Sequence, residues 1–228
     1  MIPTAGRDVT KVTPIGTFGM GEGMTMVIKE EIGGIEIVCE TGNYYFSPKG
    51  VDRGTRLMLE TVPILEGDKV LDLGCGYGVV AIYAGKKVGG DHVVACDVLE
   101  EAVALTRENL SRNEIEGAKV LQSDGLKSIE DRDFTLILSN PPYHTDFSVA
   151  KGFIEDGFRK LAVGGRMALV TKRLDWYRNK MKSVFGGVKV FEAEEYYIFV
   201  SEKRTPYVHK EKKNQQIMSK KLQRKQKK

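Results

Sequence analysis

The chain has 228 residues, 41% of them hydrophobic and 29% charged, the balance of a folded globular protein rather than a fibrous or disordered one. No apolar run reaches the roughly 20 residues that span a bilayer, and three scattered cysteines, Cys39, Cys75 and Cys96, suit neither a disulfide framework nor a zinc site. The net charge of +4 is unevenly placed: residues 203–228 carry +10, which leaves −6 on residues 1–202.

At about 150 residues per domain, the length holds one domain with extensions. The first residues show no basic segment followed by an apolar one, so no secretory leader is expected and the cytoplasm is the expected compartment. Residues 1–23 contain Pro3, Pro14 and several glycines and read as irregular. Met24–Ile28 and Ile35–Cys39 flank Gly33-Gly34 and read as a β-hairpin. Tyr44-Tyr45-Phe46 reads as a third short strand. Residues 1–45 are then an N-terminal β extension. Asp52 is a plausible cap for a helix running to Val62.

From Lys69 the pattern becomes regular. Strands are expected at Val70–Leu73, Val93–Cys96, Lys119–Leu121, Phe134–Leu138, Arg166–Val170, Val188–Phe191 and Tyr196–Val200. Helices are expected at Val79–Lys86, Leu99–Asn113, Val149–Leu161 and Trp176–Phe185. Alternation of this kind predicts an α/β, Rossmann-like, doubly wound sheet of seven strands, mostly parallel. Only Glu192-Ala193-Glu194-Glu195 separates the last two strands, too few residues for a helical crossover, so the last strand should run antiparallel. The expected domain covers residues 46–202. The basic segment 203–228 is polar and Lys-rich. It reads as a disordered tail with affinity for the phosphates of a nucleic acid.

Two loops carry chemistry. The first is Asp72-Leu73-Gly74-Cys75-Gly76-Tyr77-Gly78, at the passage from a strand into a helix. Ligands of open α/β sheets bind beyond such strand ends, and glycines there let the backbone approach a ligand. A dinucleotide fingerprint would need a third glycine at position 79, where Val79 stands. The carboxylate of Asp72 is a poor neighbour for a pyrophosphate but a good one for a cation. S-adenosylmethionine, with its ammonium and sulfonium, is therefore favoured over NAD. Cys75 fits as a small packing residue. Asp97, with Val98 beside it, follows the second strand and suits the hydroxyls of a ribose. Asp124 follows the third and suits an adenine amine.

The second loop is Ser139-Asn140-Pro141-Pro142-Tyr143-His144, after the fourth strand. An exocyclic amine on a base is conjugated with its ring and is a poor nucleophile. The Asn140 side-chain carbonyl and the Pro141 backbone carbonyl can accept its hydrogens and favour a tetrahedral nitrogen. The prolines hold the loop rigid, and Tyr143 offers a ring for stacking on an unstacked base.

With these loops the chain resembles the class I S-adenosylmethionine-dependent methyltransferases that methylate amines. More narrowly it resembles the RsmC-like ribosomal RNA guanine-N2 methyltransferases, also through Phe46-Ser47-Pro48-Lys49-Gly50-Val51-Asp52-Arg53-Gly54-Thr55-Arg56-Leu57. The resemblance covers about residues 44–202. It implies Asp52, Gly54, Thr55, Asp72, Gly74, Gly76, Gly78, Asp97 and Asp124 on the cofactor side. It implies Asn140, Pro141 and Tyr143 at the acceptor. Members of that family carry a second domain in front, where this chain has only about 45 residues.

The resulting expectation is an enzyme that moves a methyl group from S-adenosylmethionine to an exocyclic base amine, guanine N2 of small-subunit ribosomal RNA. Its expected partner is RNA, with no membrane and no metal. Adenine-N6 methylation of RNA or DNA, glutamine-N5 methylation of a protein and a non-catalytic RNA-binding module are the alternatives.

Overall fold

The computed structural model describes residues 13–18, 25–42, 50–142 and 147–206. The body strands are β4 (Val70–Leu73), β5 (Val93–Asp97), β6 (Lys119–Gln122), β7 (Phe134–Ser139), β8 (Leu161–Thr171), β9 (Lys189–Ala193) and β10 (Tyr196–Glu202). Before them come β1 (Thr13–Phe18), β2 (Thr25–Ile32) and β3 (Ile35–Gly42). The helices are α1 (Arg53–Thr61), α2 (Val79–Val88), α3 (Glu100–Arg112), α4 (Phe147–Lys160) and α5 (Leu174–Phe185).

The body sheet has the order β6-β5-β4-β7-β8-β10-β9. Strand β10 lies between β8 and β9 and is antiparallel to both, while the other pairs are parallel. The expected Rossmann-like sheet with a reversed last strand is therefore present. Successive residues of a strand face opposite ways, so the sheet feeds two cores. Val70, Leu136 and Val170 pack with α1, α2 and α3. Leu71, Ile137 and Leu169 pack with α4 and α5. A strand covered on both faces reads as a continuous apolar run, and Asp72 is the one polar residue of β4. The chain winds outward from β4 through β5 to β6, then returns to lay β7 on the other side of β4. That reversal opens a crevice beyond the carboxyl ends of β4 and β7, the place where such sheets bind ligands.

The N-terminal sheet has three strands, β1-β2-β3. Its hairpin turns at Gly33 and Gly34, with φ +54° and +80°, as two-residue hairpins favour. Ile28, Ile32, Ile37 and Cys39 share a core with Met58 and Ile82, so this sheet lies on the α1–α3 layer. Asn109 of α3 and Asn113, which caps the end of that helix, close its edge. Asn109 Oδ1 accepts from Glu40 N at 2.7 Å while its Nδ2 donates to Glu40 O at 2.9 Å. Asn113 does the same with Val38 at 3.1 and 2.6 Å. The amides stand in for a further strand on an edge that would otherwise be open.

Three expectations change. Residues 13–18 are not irregular: they form β1, antiparallel to β2, with a register break between Pro14 and Gly16. Proline has no N–H and tolerates only an edge or a bulge, and β1 offers both. Leu161 does not end a helix. It opens β8 opposite Phe134, and the chain makes a detour before Arg166 pairs with Leu136. Lys203 is no part of a free tail: it is buried, and its Nζ donates to Leu161 O at 2.6 Å. The expected strand Tyr44–Phe46, Tyr143, His144 and the tail beyond residue 206 lie outside the described residues. Among the described residues, no helix is long and apolar enough to cross a membrane.

Candidate active site

The glycine loop after β4 is folded back onto β5. Gly74 N and Cys75 N both donate to Cys96 O, at 2.9 and 3.0 Å. Gly74 and Gly76 have φ +81° and +56°, where a side chain is strained. A Cβ on Gly76 would meet nothing within 4 Å, so that glycine serves the backbone turn and leaves an open surface. Gly78 has another task. It begins α2 at φ +94°, and a Cβ there would lie 3.0 Å from Thr106 on α3. Its role is helix packing, while Gly74 and Gly76 face the crevice.

The crevice holds a cavity of about 480 Å³, within the range of small-molecule sites. Asp72, Gly74, Cys75, Gly76, Asp97, Val98, Asp124, Asn140 and Pro141 all border it, with Asp52 and Thr55 on the α1 side. Gly54 and Gly78 are not among the residues that line it. A Cβ on Gly54 would sit 2.8 Å from the Tyr196 ring, so that position admits close packing of α1 on β10.

The three acids differ. Asp72 is 2% exposed, and its Oδ2 accepts from Ala81 N at 3.0 Å. Burial pushes its carboxyl up to about 8, the Ala81 bond opposes this, and nearby Asp97 adds to the rise. No cationic side chain pairs with it among the described residues. A buried carboxyl without a counter-charge in a cavity wall fits a cationic ligand. Asp97 is half-buried and fixed at both oxygens: Gly76 N donates at 2.9 Å and Leu99 N at 3.1 Å. Asp124 sits at the rim, 69% exposed, in an ion pair with Lys127.

The edge of the cavity at the end of β7 is built from farther away. Ser139 Oγ donates to Leu73 O at 2.6 Å and fastens the end of β7 to β4. Asn140 Nδ2 donates to Asp52 Oδ2 at 2.8 Å and to Thr55 Oγ1 at 2.9 Å. Those bonds fix the amide with its nitrogen toward α1. Asp52 also caps α1, accepting from Thr55 N at 2.9 Å. Pro141 is buried beside them and Pro142 is exposed.

Several contributors were not foreseen. Glu30 of β2 is buried and pairs with Arg56 of α1. Its Oε1 accepts from Val51 N at 2.8 Å, and Tyr77 Oη donates to Gly50 O at 3.1 Å. Together they hold the segment that carries Asp52. The local sequence gives no sign of these long-range bonds. Leu99, Val149 and Phe153 add an apolar wall. Its signal was the apolar Val149 and Phe153 one turn apart on α4.

A family model described as methyltransferase small domain matches residues 34–200. The chain belongs to the methyltransferase small domain family. The cleft is that of a methyltransferase domain, and the residues around Asp72 fit the positive charge of S-adenosylmethionine. Ribosomal RNA small subunit methyltransferase C of Shewanella amazonensis is 38% identical over 164 residues, 70% of this chain and 47% of that protein. The protein of the same name from Pseudoalteromonas translucida is 33% identical over 161 residues, 68% of this chain and 47% of that protein. The chain thus spans about half the length of the curated relatives it matches. Among solved structures, the T. thermophilus 16S rRNA N2 G1207 methyltransferase (RsmC), in complex with AdoMet and guanosine, superposes with a TM-score of 0.72 at 27% identity. The match covers 78% of this chain and 50% of that one. A methyltransferase from Pyrococcus furiosus shares the fold, with a TM-score of 0.63 at 22% identity over 74% of this chain and 90% of that one.

Proposed function

We propose that this methyltransferase domain methylates an exocyclic amine of a base in RNA, guanine N2 of small-subunit ribosomal RNA. The observation that carries the reading is the clamped amide of Asn140 at the edge of the cofactor cavity. When bound, S-adenosylmethionine supplies an electrophilic methyl group. Asp72 and Asp97 would hold its cationic and hydroxyl groups, and Gly74 and Gly76 would let it lie against the backbone. Leu99 and Phe153 exclude water from the apolar side.

The residues of the acceptor edge act on the amine. With its nitrogen committed to Asp52 and Thr55, the Asn140 amide turns its carbonyl to accept an amine hydrogen. The Pro141 carbonyl accepts the other, and Tyr143 stacks on the base. Both acceptors weaken conjugation of the amine with the ring, so the lone pair becomes available for in-line attack. The choice of guanine and of the small subunit is supported by the names of the relatives, not by the shape of the cleft. Residues beyond Lys203 add phosphate contacts, so removing residues 205–228 should weaken RNA binding more at low salt than at high salt.

The test uses tritiated S-adenosylmethionine. Naked small- and large-subunit RNA, assembled subunits and total protein are offered, and labelled products are digested to nucleosides or amino acids. Label in N2-methylguanosine of small-subunit RNA is the expected result. Label in N6-methyladenosine overturns the base, and label in protein overturns the polymer.

A further inference from the structure

Three segments distant in sequence meet beside Asn140. Helix α1 begins with Arg53, next to the Asp52 that clamps the Asn140 amide. Strand β8, whose Leu169 pairs with Ser139, ends at Thr171 and leads into Lys172. The turn between β9 and β10 supplies Glu194 and Glu195. Arg53 Nε donates to both carboxylate oxygens of Glu194, at 3.1 and 3.0 Å. Lys172 Nζ donates to Glu195 Oε1 at 2.7 Å. Tyr196 joins the parts: its ring packs on Gly54 and lies 4.9 Å from Lys172 Nζ. All four charged side chains are between 42% and 65% exposed.

The turn is an unusual one. Only Glu194 and Glu195 separate the paired residues Ala193 and Tyr196, and Glu194 has φ +56°. Glycine is the usual choice for such a position, and a residue with a side chain is strained there. Exposed ion pairs contribute little to stability, so they do not explain the choice of Glu194.

We propose that Arg53 and Lys172 bind phosphates of the RNA strand that flank the target base, and that Glu194 and Glu195 occupy these two cations until RNA displaces them. The inference rests on the RNA reading above. A guanidinium fork takes a phosphate as it takes a carboxylate. A polyanion gains in addition from the counterions that it sheds. Small anions lack that gain and leave the pairs closed. The mask thus favours a polymer over free nucleotides beside the Asp52–Asn140 clamp.

The test measures binding of a fluorescein-labelled single-stranded RNA oligomer over a salt series, for the full chain and three double variants. In E194Q/E195Q, affinity at low salt should rise about tenfold, and the advantage should shrink as salt screens it. In R53Q/K172Q, affinity should fall, and the salt slope should flatten by about 1.4 through the loss of two single-strand phosphate contacts. E114Q/E116Q makes the same charge change at the other end of the sheet and should alter affinity less than about twofold. Equal effects of the two glutamate pairs would overturn the proposal. So would an unchanged affinity and slope in R53Q/K172Q with an unchanged melting temperature. If wild type transfers label to RNA while all variants bind alike, this proposal falls and the RNA reading stands. If wild type neither binds nor labels RNA, both fall.

Discussion

The cofactor edge of the cleft is stitched together within one β-α-β step, whereas the acceptor edge hangs on side-chain bonds that cross 85 and 88 residues. At the first, backbone N–H groups of Gly74, Cys75 and Gly76 meet Cys96 and Asp97 on the next strand. At the second, Asn140 is aimed by Asp52 and Thr55, and the segment carrying Asp52 is held in turn by Glu30 from the N-terminal sheet. The proposed cofactor loop is local and self-contained. The proposed acceptor site is assembled from parts of the chain that are free to change separately.

The largest expected effect comes from breaking the distant support. Glu30→Ala leaves the buried Arg56 with only the Glu31 carbonyl and the more distant Glu60 carboxylate, at a cost of about 3 kcal/mol, the low end for a broken buried pair. In a domain of this size that lowers the melting temperature by roughly 10 °C, readable by calorimetry. At a temperature where the variant is folded, methyl transfer should fall more than cofactor affinity. An equal fall in both would mean that the two edges are not separately built.

A change at the local edge should do the reverse. Gly76→Ala forces a side chain into left-handed backbone at a cost of about 1–2 kcal/mol. It should weaken cofactor binding about tenfold in a titration, with little effect on transfer at saturating cofactor.

The smallest effect concerns pH. Burial keeps Asp72 protonated up to about 8, whereas the unfolded chain loses that proton near about 4. The folded protein holds the extra proton between those values. The contribution of Asp72 to stability is therefore complete below about 4 and is lost as pH rises through 8. A bound cation favours the carboxylate, so the gain in melting temperature on adding S-adenosylmethionine should grow from mildly acidic pH toward pH 8. Asp72→Asn should flatten that trend.

This contrast also marks what was legible in the sequence. The body sheet followed from alternating runs, and the reversed last strand from a four-residue connection. The cofactor loop was legible because its glycines and acids lie close together at strand ends. Asn140 was legible as a chemical group, but its clamp was not, since nothing near Asn140 names Asp52 or Glu30. Strand β1 was hidden because Pro14 and Gly16 argue against a strand until β2 is there to pair with it. Gly54 and Gly78 were assigned to the cofactor, although packing against Tyr196 and Thr106 accounts for them.

The most direct test of the acceptor edge compares Asn140→Ala with wild type in two assays, cofactor titration and label transfer to RNA. The structure predicts a cofactor affinity within a few-fold of wild type and a transfer rate lower by about 10²–10³, the usual loss for one preorganised polar group at a reacting centre. Transfer that survives the substitution, or a loss of cofactor affinity as large as the loss of transfer, would contradict the assignment of Asn140 to the acceptor amine.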